Sequence, residues 1–268
     1  RDLIVALEAH WRKLYHLGMG KSVTRSNLSK ANELRDYRIF EDFAYHLVAE
    51  ARSKSTEKIF CFDGHVYAFD STTIDLCLEV FEWAKFRKHK GGIKIHTLYD
   101  IEAQVPAFFH ITTASINDIK ALPEIPYEKG AYYIFDRGYN DFSNLFKIEQ
   151  IEATFVVRAK KNLKFKQTSW KRRLPKNVLS DSTIEFTVYK SSKDYPIPLR
   201  RVVYYDEEQG RTFVLLTKNF VLPATMIAEL YHNRWSIELF SSGSSHNLRL
   251  GSFWGLTRML LEYKSTLP

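Results

Sequence analysis

Two aspartates in the sequence share a context that suggests they act as a pair. Asp70 lies in AFDST (68–72) and Asp136 lies in IFDRGY (134–139), so each follows a phenylalanine. Successive side chains of a strand point to opposite faces, and each Phe would enter the core while its Asp faces the other way. Two neighbouring carboxylates repel each other unless a cation neutralises them. The pair therefore indicates a site for Mg²⁺ or Mn²⁺, whereas the alternative for either Asp alone is a turn cap.

A third carboxylate lies near the end of the chain in a stretch with helical spacing. Tyr231, Arg234 and Glu238 are three and four residues apart, which would place them on one helical face. The alternative is the solvated side of an amphipathic helix. A third acidic ligand completes a two-metal site, which activates water or a 3′-hydroxyl and stabilises the leaving oxygen in phosphodiester chemistry. We therefore predict that Asp70, Asp136 and Glu238 are catalytic and bind metal.

The elements that would position these residues are predicted from a change of periodicity. Residues 1–60 have the apolar spacing of helices. Runs rich in Val, Ile, Tyr, Phe and Thr then predict strands, and Asn117 and Asp141 are expected to open helices between them; the strands are 66–76, 92–100, 105–114, 131–139 and 153–160. This order is that of an RNase H-like mixed sheet, in which the first and fourth strands are neighbours. Both aspartates would then project side by side.

The segment 161–218 interrupts that order. Its alternating runs predict antiparallel strands without an intervening helix, which indicates an all-β insertion. A helix is expected from about Pro223, a residue suited to a first turn, to Phe240. The chain is therefore predicted to be an α/β protein with four parts: a helical N-terminal region (1–60), the first part of the core (61–160), a β-rich insertion (161–218), and the glutamate helix with the rest of the core (219–268).

The charge of the chain favours a polyanionic partner. Its formal net charge is +8 at pH 7, which suits nucleic acid but does not identify it. Basic residues concentrate in two segments, 85–94 and 158–173, and the second contains Phe165 and Trp170 but no acidic residue. The alternative for either segment is a solvated surface.

Composition also limits where the protein acts. No apolar run reaches the roughly 18 residues that suggest a membrane span, and no signal peptide is recognisable. Cys61 and Cys77 lack the spacing of metal ligands and fit a reducing compartment. We therefore expect a cytoplasmic protein with buried free thiols, and a disulfide between the two cysteines is the alternative.

Together, these motifs resemble the insertion-sequence DDE transposases of the group numbered four, whose signature is Y-x2-R-x3-E-x6-K. The resemblance rests on residues 22–44, the FDST strand, residues 85–100, FDRGY, and YHNRWSIELF (231–240). It implies Asp70, Asp136 and Glu238 as the metal triad, with Mg²⁺ or Mn²⁺. It also implies a homodimer that cuts an element from double-stranded DNA by water attack at the element's ends. The freed 3′-hydroxyls then attack target DNA, in a bacterial protein that is nucleoid-associated when bound.

The resemblance further implies specific DNA contacts. Tyr231 and Arg234 would contact phosphates near the cleaved strand end, with Arg234 as a bidentate clamp. The helices before residue 60 would help to recognise the element's ends. Basic residues of segment 158–173 would follow phosphates and make binding salt-dependent, namely Lys160, Lys161, Lys164, Lys171, Arg172 and Arg173. Trp170 would stack on an unpaired or flipped base, with ordinary surface packing as the alternative.

The chain departs from the family signature after the glutamate. Ser245 stands where the lysine is expected, within Ser-Ser-Gly-Ser-Ser (241–245). Gly and Ser disfavour helix, so an ordered helix is expected to end about one turn after Glu238. A flexible linker is one explanation. The other is a frameshift, because codons for the family's Phe-Lys-Trp-Ile-Lys read one base later encode Ser-Ser-Gly-Ser-Ser.

The tail supports the frameshift hypothesis in the same way. Residues 256–268 can be encoded by bases that, in another frame, give a sequence resembling the family's next helix. The opening residue, Arg1, is not a methionine, and we expect a truncated chain. Because catalytic groups must be positioned accurately, the polypeptide as written is expected to show little or no transposition.

Three other functions fit parts of the sequence. A relic that binds DNA without cutting it would show salt-sensitive binding but no Mg²⁺-dependent nicking. Another RNase H-like metal nuclease, such as a junction resolvase or repair nuclease, would act without element ends. A non-enzymatic basic scaffold would be unaffected by alanine at Asp70 or Asp136.

Overall fold

The computed structural model describes residues 2–19, 23–36, 38–54, 58–76, 85–87 and 90–247. The chain divides into two compact units, one that runs to Leu47 and one that begins at Val48. The first unit is helical, as predicted; its helices are α1 (Asp2–Ala9), α2 (Trp11–Leu14), α3 (Arg25–Leu34) and most of α4 (Arg38–Lys54), with a 3₁₀ turn at Tyr15–Leu17. No helix in the described ranges is long and apolar enough to cross a membrane.

The second unit is built on one mixed sheet. The described strands are β1 (Val66–Leu76), β2 (Lys85–Arg87), β3 (Lys90–Asp100), β4 (Val105–Thr113), β5 (Tyr132–Phe135), β6 (Thr154–Arg158), β7 (Phe165–Trp170), β8 (Val178–Phe186), β9 (Leu199–Asp206) and β10 (Arg211–Thr217). Their order is β2-β3-β1-β5-β6-β10-β9-β8-β7, with β4 also paired to β3. The strands β1, β5 and β6 are parallel, while β3 and β4 continue the sheet in antiparallel pairs. This arrangement confirms the predicted RNase H-like sheet.

Helices cover both faces of this sheet. Asn117 and Asp141 accept backbone N–H bonds at the starts of the 3₁₀ segment Asp118–Glu124 and of α5 (Phe142–Gln150), as predicted. One buried cluster, on the face of Phe69 and Phe135, includes side chains of α5. The opposite cluster, on the face of Ala68 and Ile134, includes side chains of the two helices that follow β10. Phe69 and Phe135 therefore point to one face of the sheet, and the residues before them in sequence, Ala68 and Ile134, point to the other.

The insertion is β-rich, as predicted, but it does not form a separate sheet. Strand β10 pairs with β6, so strands β7–β10 extend the core sheet. It also contains a short helix that the sequence did not predict, α6 (Tyr189–Asp194), whose contacts are with α5 and β8. Alternation alone did not distinguish this six-residue helix from loop, because none of its residues is buried.

The helix predicted from Pro223 to Phe240 is two helices, α7 (Ala224–His232) and α8 (Trp235–Asn247). Between them the backbone tightens, since Arg234 N–H bonds to Tyr231 and Ile237 N–H bonds to Arg234, each three residues back. The expected end near Phe240 is wrong, because α8 continues through Asn247. Helix propagation from existing turns offsets the cost of about 1 kcal/mol for one Gly. Residues 248–268 lie outside the described residues.

A buried ion pair joins the insertion to the loop before α7. Arg200 is 1% exposed and binds Asp181 through two bonds, of 2.8 Å from Nε and 2.7 Å from Nη2. Its Nη1 donates to the carbonyls of Asn219 and Leu222, at 3.0 and 2.6 Å. The guanidinium therefore ties strands β8 and β9 to the segment from which α7 begins. Elsewhere, Cys61 is a free thiol but is exposed rather than buried, and Cys77 lies outside the described residues.

Removing this guanidinium should destabilise the fold strongly. In Arg200→Leu, Asp181 keeps only Lys171 as a partner, at 3.0 Å, and two carbonyls lose their donor. We expect the free energy of unfolding to fall by about 3–5 kcal/mol, as measured by denaturant titration. The double variant Arg200→Leu/Asp181→Leu should recover part of this loss. A single variant within about 0.5 kcal/mol of the parent would contradict the assignment.

Candidate active site

Three polar residues form a row across the parallel strands. Phe69 is paired with Phe135 and Phe135 with Val157, so the next residues, Asp70, Asp136 and Arg158, follow at the same level. Neighbouring strands lie about 4.8 Å apart. All three residues belong to the sheet face that α7 and α8 cover, because side chains alternate and the preceding Phe residues face the other cluster. The register therefore agrees with the predicted juxtaposition of Asp70, which lies within β1, and Asp136, which directly follows β5.

Asp136 is held by groups from two other elements. Tyr231 on α7 donates its hydroxyl to Asp136 Oδ1 at 3.1 Å, and Arg158 Nη1 lies 4.0 Å from the same oxygen. Burial, together with the Asp136 carboxylate, raises the pKa of Tyr231 to about 12. The phenol is consequently a protonated donor near neutral pH.

Glu238 lies in the first turn of α8, where a carboxylate interacts favourably with the helix dipole. This position differs from the expected one near the end of a helix. Arg234 connects it to the sheet, because its Nη2 binds Glu238 and its Nη1 lies 3.6 Å from Asp70 Oδ2. The spacing that predicted one helical face thus brings Arg234 and Glu238 together, while Tyr231 reaches the site from the preceding helix.

The electrostatics of Asp70 reflect this crowding. Burial is the main cause that raises the pKa of its carboxyl above the ordinary value, and Glu238 and Asp136 raise it further. The backbone N–H of Ser71, 2.8 Å from Oδ1, and the guanidinium of Arg234 act in the opposite direction. Arg234 is only 6% exposed. It is therefore the main cation that offsets the repulsion between Asp70 and Glu238.

The donor set suits a hard divalent cation, since it consists of carboxylates in a partly buried site. Within the part of the chain that the structure describes, no three His, Cys, Asp or Glu side chains lie close enough together to form a ready-made metal cluster. Arg234 contacts two of the three carboxylates instead. Carboxylates are the type of ligand that suits Mg²⁺ or Mn²⁺, and in this structure the Arg234 guanidinium balances the charge of Asp70 and Glu238.

Two residues near the carboxylates were not singled out by the sequence. Arg158 was grouped only with the basic segment, although it stands beside Asp136 in the sheet. Asn140 is 7% exposed and donates to the carbonyls of Arg137 and Arg158, at 2.9 and 2.7 Å. It thereby joins the turn after Asp136 to the end of β6. A buried Asn within a turn gives little signal in a sequence, because Asn is common in turns for other reasons.

The predicted DNA contacts in segment 158–173 are all exposed, namely Lys160, Lys161, Lys164, Trp170, Lys171, Arg172 and Arg173. Four of them line two separate grooves. Lys160 and Lys161 line a groove with Arg158. Trp170 is 63% exposed and lines a second groove with Lys171, which is paired with Asp181. In the other basic segment, Lys94 is paired with Asp118 at 3.0 Å, and residues 88–89 lie outside the described residues.

The fold and the carboxylate row define the class of the protein as RNase H-like. The family described as transposase DDE domain matches residues 62–253, which is more than half of the chain. The chain therefore belongs to the family of DDE-domain transposases, as the resemblance implied.

Two curated relatives are similar over most of this chain. A putative transposase of Sinorhizobium fredii, y4zB, is 33% identical over 235 residues, which cover 85% of this chain and 64% of the relative. A probable transposase for the insertion sequence element IS5377 of Geobacillus stearothermophilus is 26% identical over 212 residues, covering 79% and 56%. The chain thus spans less than two thirds of these relatives' length.

This chain is similar to a chain in a solved structure of a piggyBac transposase synaptic complex with hairpin DNA. The match covers 90% of this chain and 54% of the piggyBac chain. The sequence identity is 12% and the TM-score is 0.43.

Replacing the central cation should reveal its role as a counter-charge. In Arg234→Gln, Asp70 and Glu238 would face each other without the guanidinium, so the pKa of Asp70 should rise further. We expect a loss of about 1–3 kcal/mol in the free energy of unfolding at pH 7. When folding raises the pKa of a carboxyl group, its ionised form destabilises the folded state at pH values above that pKa. This destabilisation disappears once the carboxyl group is protonated. The difference between variant and parent should therefore shrink between pH 7 and pH 5.

The comparison needs denaturation curves of both proteins at the two pH values. Arg211→Gln is the matched control, because this exposed arginine lies over the rings of Phe213, at 4.7 Å, and Trp235, at 5.9 Å, and forms no ion pair with Asp70, Asp136 or Glu238. A deficit of the Arg234 variant that is equal or larger at pH 5 would contradict the assignment.

Proposed function

We propose that the protein acts in cut-and-paste DNA transposition, with Asp70, Asp136 and Glu238 as catalytic carboxylates that bind Mg²⁺ or Mn²⁺. Its substrates would be the ends of a mobile element in double-stranded DNA and the target DNA. A homodimer would hold the two ends together, and the bacterial cytoplasm would be the compartment. The observation that supports this proposal is the register of β1 with β5, in which the residues directly before Asp70 and Asp136 are paired.

The metal would be held by carboxylate oxygens of Asp70 and Asp136 from the sheet and of Glu238 from α8. When bound, divalent ions lower the pKa of a water or 3′-hydroxyl nucleophile and stabilise the leaving oxygen. The remaining residues would orient these groups. Tyr231 fixes one oxygen of Asp136 through its hydroxyl, which leaves the other oxygen available.

Arg234 would change partners when the site is loaded. It now neutralises Asp70 and Glu238, and a divalent ion would take over that role. The freed guanidinium would then be close to the scissile phosphate, whose oxygens it can bind bidentately. This change would reconcile the phosphate contact implied by the family signature with the carboxylate contacts of Arg234.

One observation favours reduced activity in this chain. Ser245 stands where the family signature has a lysine, seven residues after the glutamate, so this chain lacks that positive charge. The continuation of α8 past Glu238 removes the other reason for expecting inactivity, a loosely held carboxylate. Binding without efficient cutting is therefore the second candidate function.

The test is nicking of a supercoiled plasmid that carries the DNA flanking the gene, with Mg²⁺ or Mn²⁺. We expect weak nicking by this chain and faster nicking by a chain whose reading frame is repaired after Phe240. In the repaired chain, Asp70→Asn or Asp136→Asn should lower the rate at least about 100-fold, because positioned catalytic groups contribute effects of this order.

Asp63→Asn is the control, since this aspartate is fully exposed and lies outside the site. Nicking that survives Asp70→Asn at the repaired rate would rule out the proposed carboxylate chemistry. Robust strand transfer by the chain as it stands would contradict the expected low activity.

A further inference from the structure

A groove beside the carboxylate row is lined by cations and by no acidic residue. It lies past the carboxyl end of β6, is open to solvent, and has a volume of about 250 Å³. Its charged residues are Arg137, Arg158, Lys160, Lys161 and Arg201. Ala159, Leu163, Phe165, Thr212 and Val214 complete the wall. An anionic ligand is therefore the only charged ligand that this groove favours.

The groove begins at the proposed catalytic site. Arg137 directly follows Asp136, and Arg158 Nη1 lies 4.0 Å from Asp136 Oδ1. Asn140 binds the carbonyls of both arginines, and Lys160 Nζ lies 3.5 Å from the carbonyl oxygen of Asn140. Arg158 stands on the sheet face of the carboxylates, whereas Arg201 and Phe165 belong to the opposite face. A polyanion that leaves the carboxylate site would therefore reach Arg201 by passing around the end of β6.

Arg201 distinguishes this groove from an ordinary basic surface. It is half-buried, its guanidinium lies 5.2 Å from the centre of the Phe165 ring, and it makes no ion pair with an Asp or Glu among the described residues. Burial lowers the pKa of Arg201, which means that the folded protein disfavours its charge. A cation kept in such a position without a carboxylate partner is ready to bind an external anion.

The neighbouring arginine provides an internal comparison. Arg200 points to the other face of the same strand, where Asp181 and two carbonyls accept four hydrogen bonds from its five N–H donors. Arg201 lacks such a set of partners among the described residues, and its guanidinium carbon lies over the Phe165 ring, 5.2 Å from the ring centre. This cation–π contact holds the guanidinium at the groove, where its N–H groups can bind a phosphate.

We propose that this groove binds the sugar-phosphate backbone of the DNA strand that leaves the carboxylate site, with Arg201 as its central phosphate contact. The inference rests on the proposed function for the identity of the polyanion. The site differs from the other exposed cations of segment 158–173 because it is concave, extends to Arg158 beside Asp136, and contains a half-buried arginine without an ion pair among the described residues. An acidic peptide is the competing ligand, and the experiment includes it.

The experiment measures binding of a fluorescently labelled 30-base-pair duplex by anisotropy, without divalent metal, for the parent, Arg201→Gln and Arg211→Gln. Arg211 is the matched control, because it is also an arginine over an aromatic ring, Phe213, but it does not line the groove and lies on the sheet face opposite Arg201. We expect Arg201→Gln to raise the dissociation constant about tenfold and to lower the slope of log K against log salt by about one. Arg211→Gln should change the constant less than about twofold.

Thermal unfolding separates a ligand contact from a structural role. Replacing an arginine that the fold needs lowers the stability of the protein, whereas a half-buried cation without a partner itself disfavours the folded state. Arg201→Gln should therefore leave the melting temperature of the free protein unchanged or raise it. A lowered melting temperature together with unchanged DNA affinity would overturn the proposal. The same anisotropy measurement is made with a labelled polyglutamate. If Arg201→Gln weakens binding of polyglutamate but not of DNA, the groove binds an acidic peptide and the proposal is overturned.

The outcome is separable from that of the proposed function. Weakened DNA binding by Arg201→Gln in a repaired chain that never nicks DNA would support the groove and count against the catalytic proposal. Unchanged DNA binding by Arg201→Gln, with nicking that still depends on Asp70, would support the catalytic proposal and refute the groove.

Discussion

The site depends on the repulsion between carboxylates that the sheet places side by side. Parallel pairing of β1 with β5 gives Asp70 and Asp136 no freedom to separate, because their positions follow from the register of buried neighbours. Moving either strand by one residue would turn its Phe out of the core, so the core fixes the distance between the charges. A third carboxylate on α8 adds to the negative charge. The structure must therefore supply a cation, and in the free protein that cation is Arg234.

The tightened backbone between α7 and α8 makes this arrangement possible. A continuous α-helix would place Tyr231, Arg234 and Glu238 along one stripe. Instead, the change of pitch lets Tyr231 reach Asp136 while Arg234 reaches both Asp70 and Glu238. Short 3₁₀ stretches within helices often mark functional sites. The buried Arg200 network fixes the segment that precedes α7, so the insertion also supports the position of this helix pair.

The sequence predicted the features that depend on local pattern and failed where long-range contacts decide. The Phe-Asp pairs and strand runs were sufficient for the strand order and the placement of Asp70 beside Asp136. Residue spacing could not show the change of pitch at Arg234, because it arises from three-residue hydrogen bonds within one helical pattern. Helix propensity gave the wrong end for α8, since nine residues continue the helix after Glu238 (247 − 238). Arg158, Asn140 and Arg201 were overlooked because their importance lies in what the folded sheet places next to them.

Family membership and the register of β1 with β5 both support a site in which carboxylates bind divalent metal ions. The most direct measurement is anomalous X-ray diffraction from crystals of the protein soaked in Mn²⁺. The account predicts an anomalous peak within coordination distance of oxygens of both Asp70 and Asp136, accompanied by movement of the Arg234 guanidinium away from Asp70. Mn²⁺ bound only at other carboxylates, with Arg234 still paired to Asp70 and Glu238 at saturating metal, would contradict it.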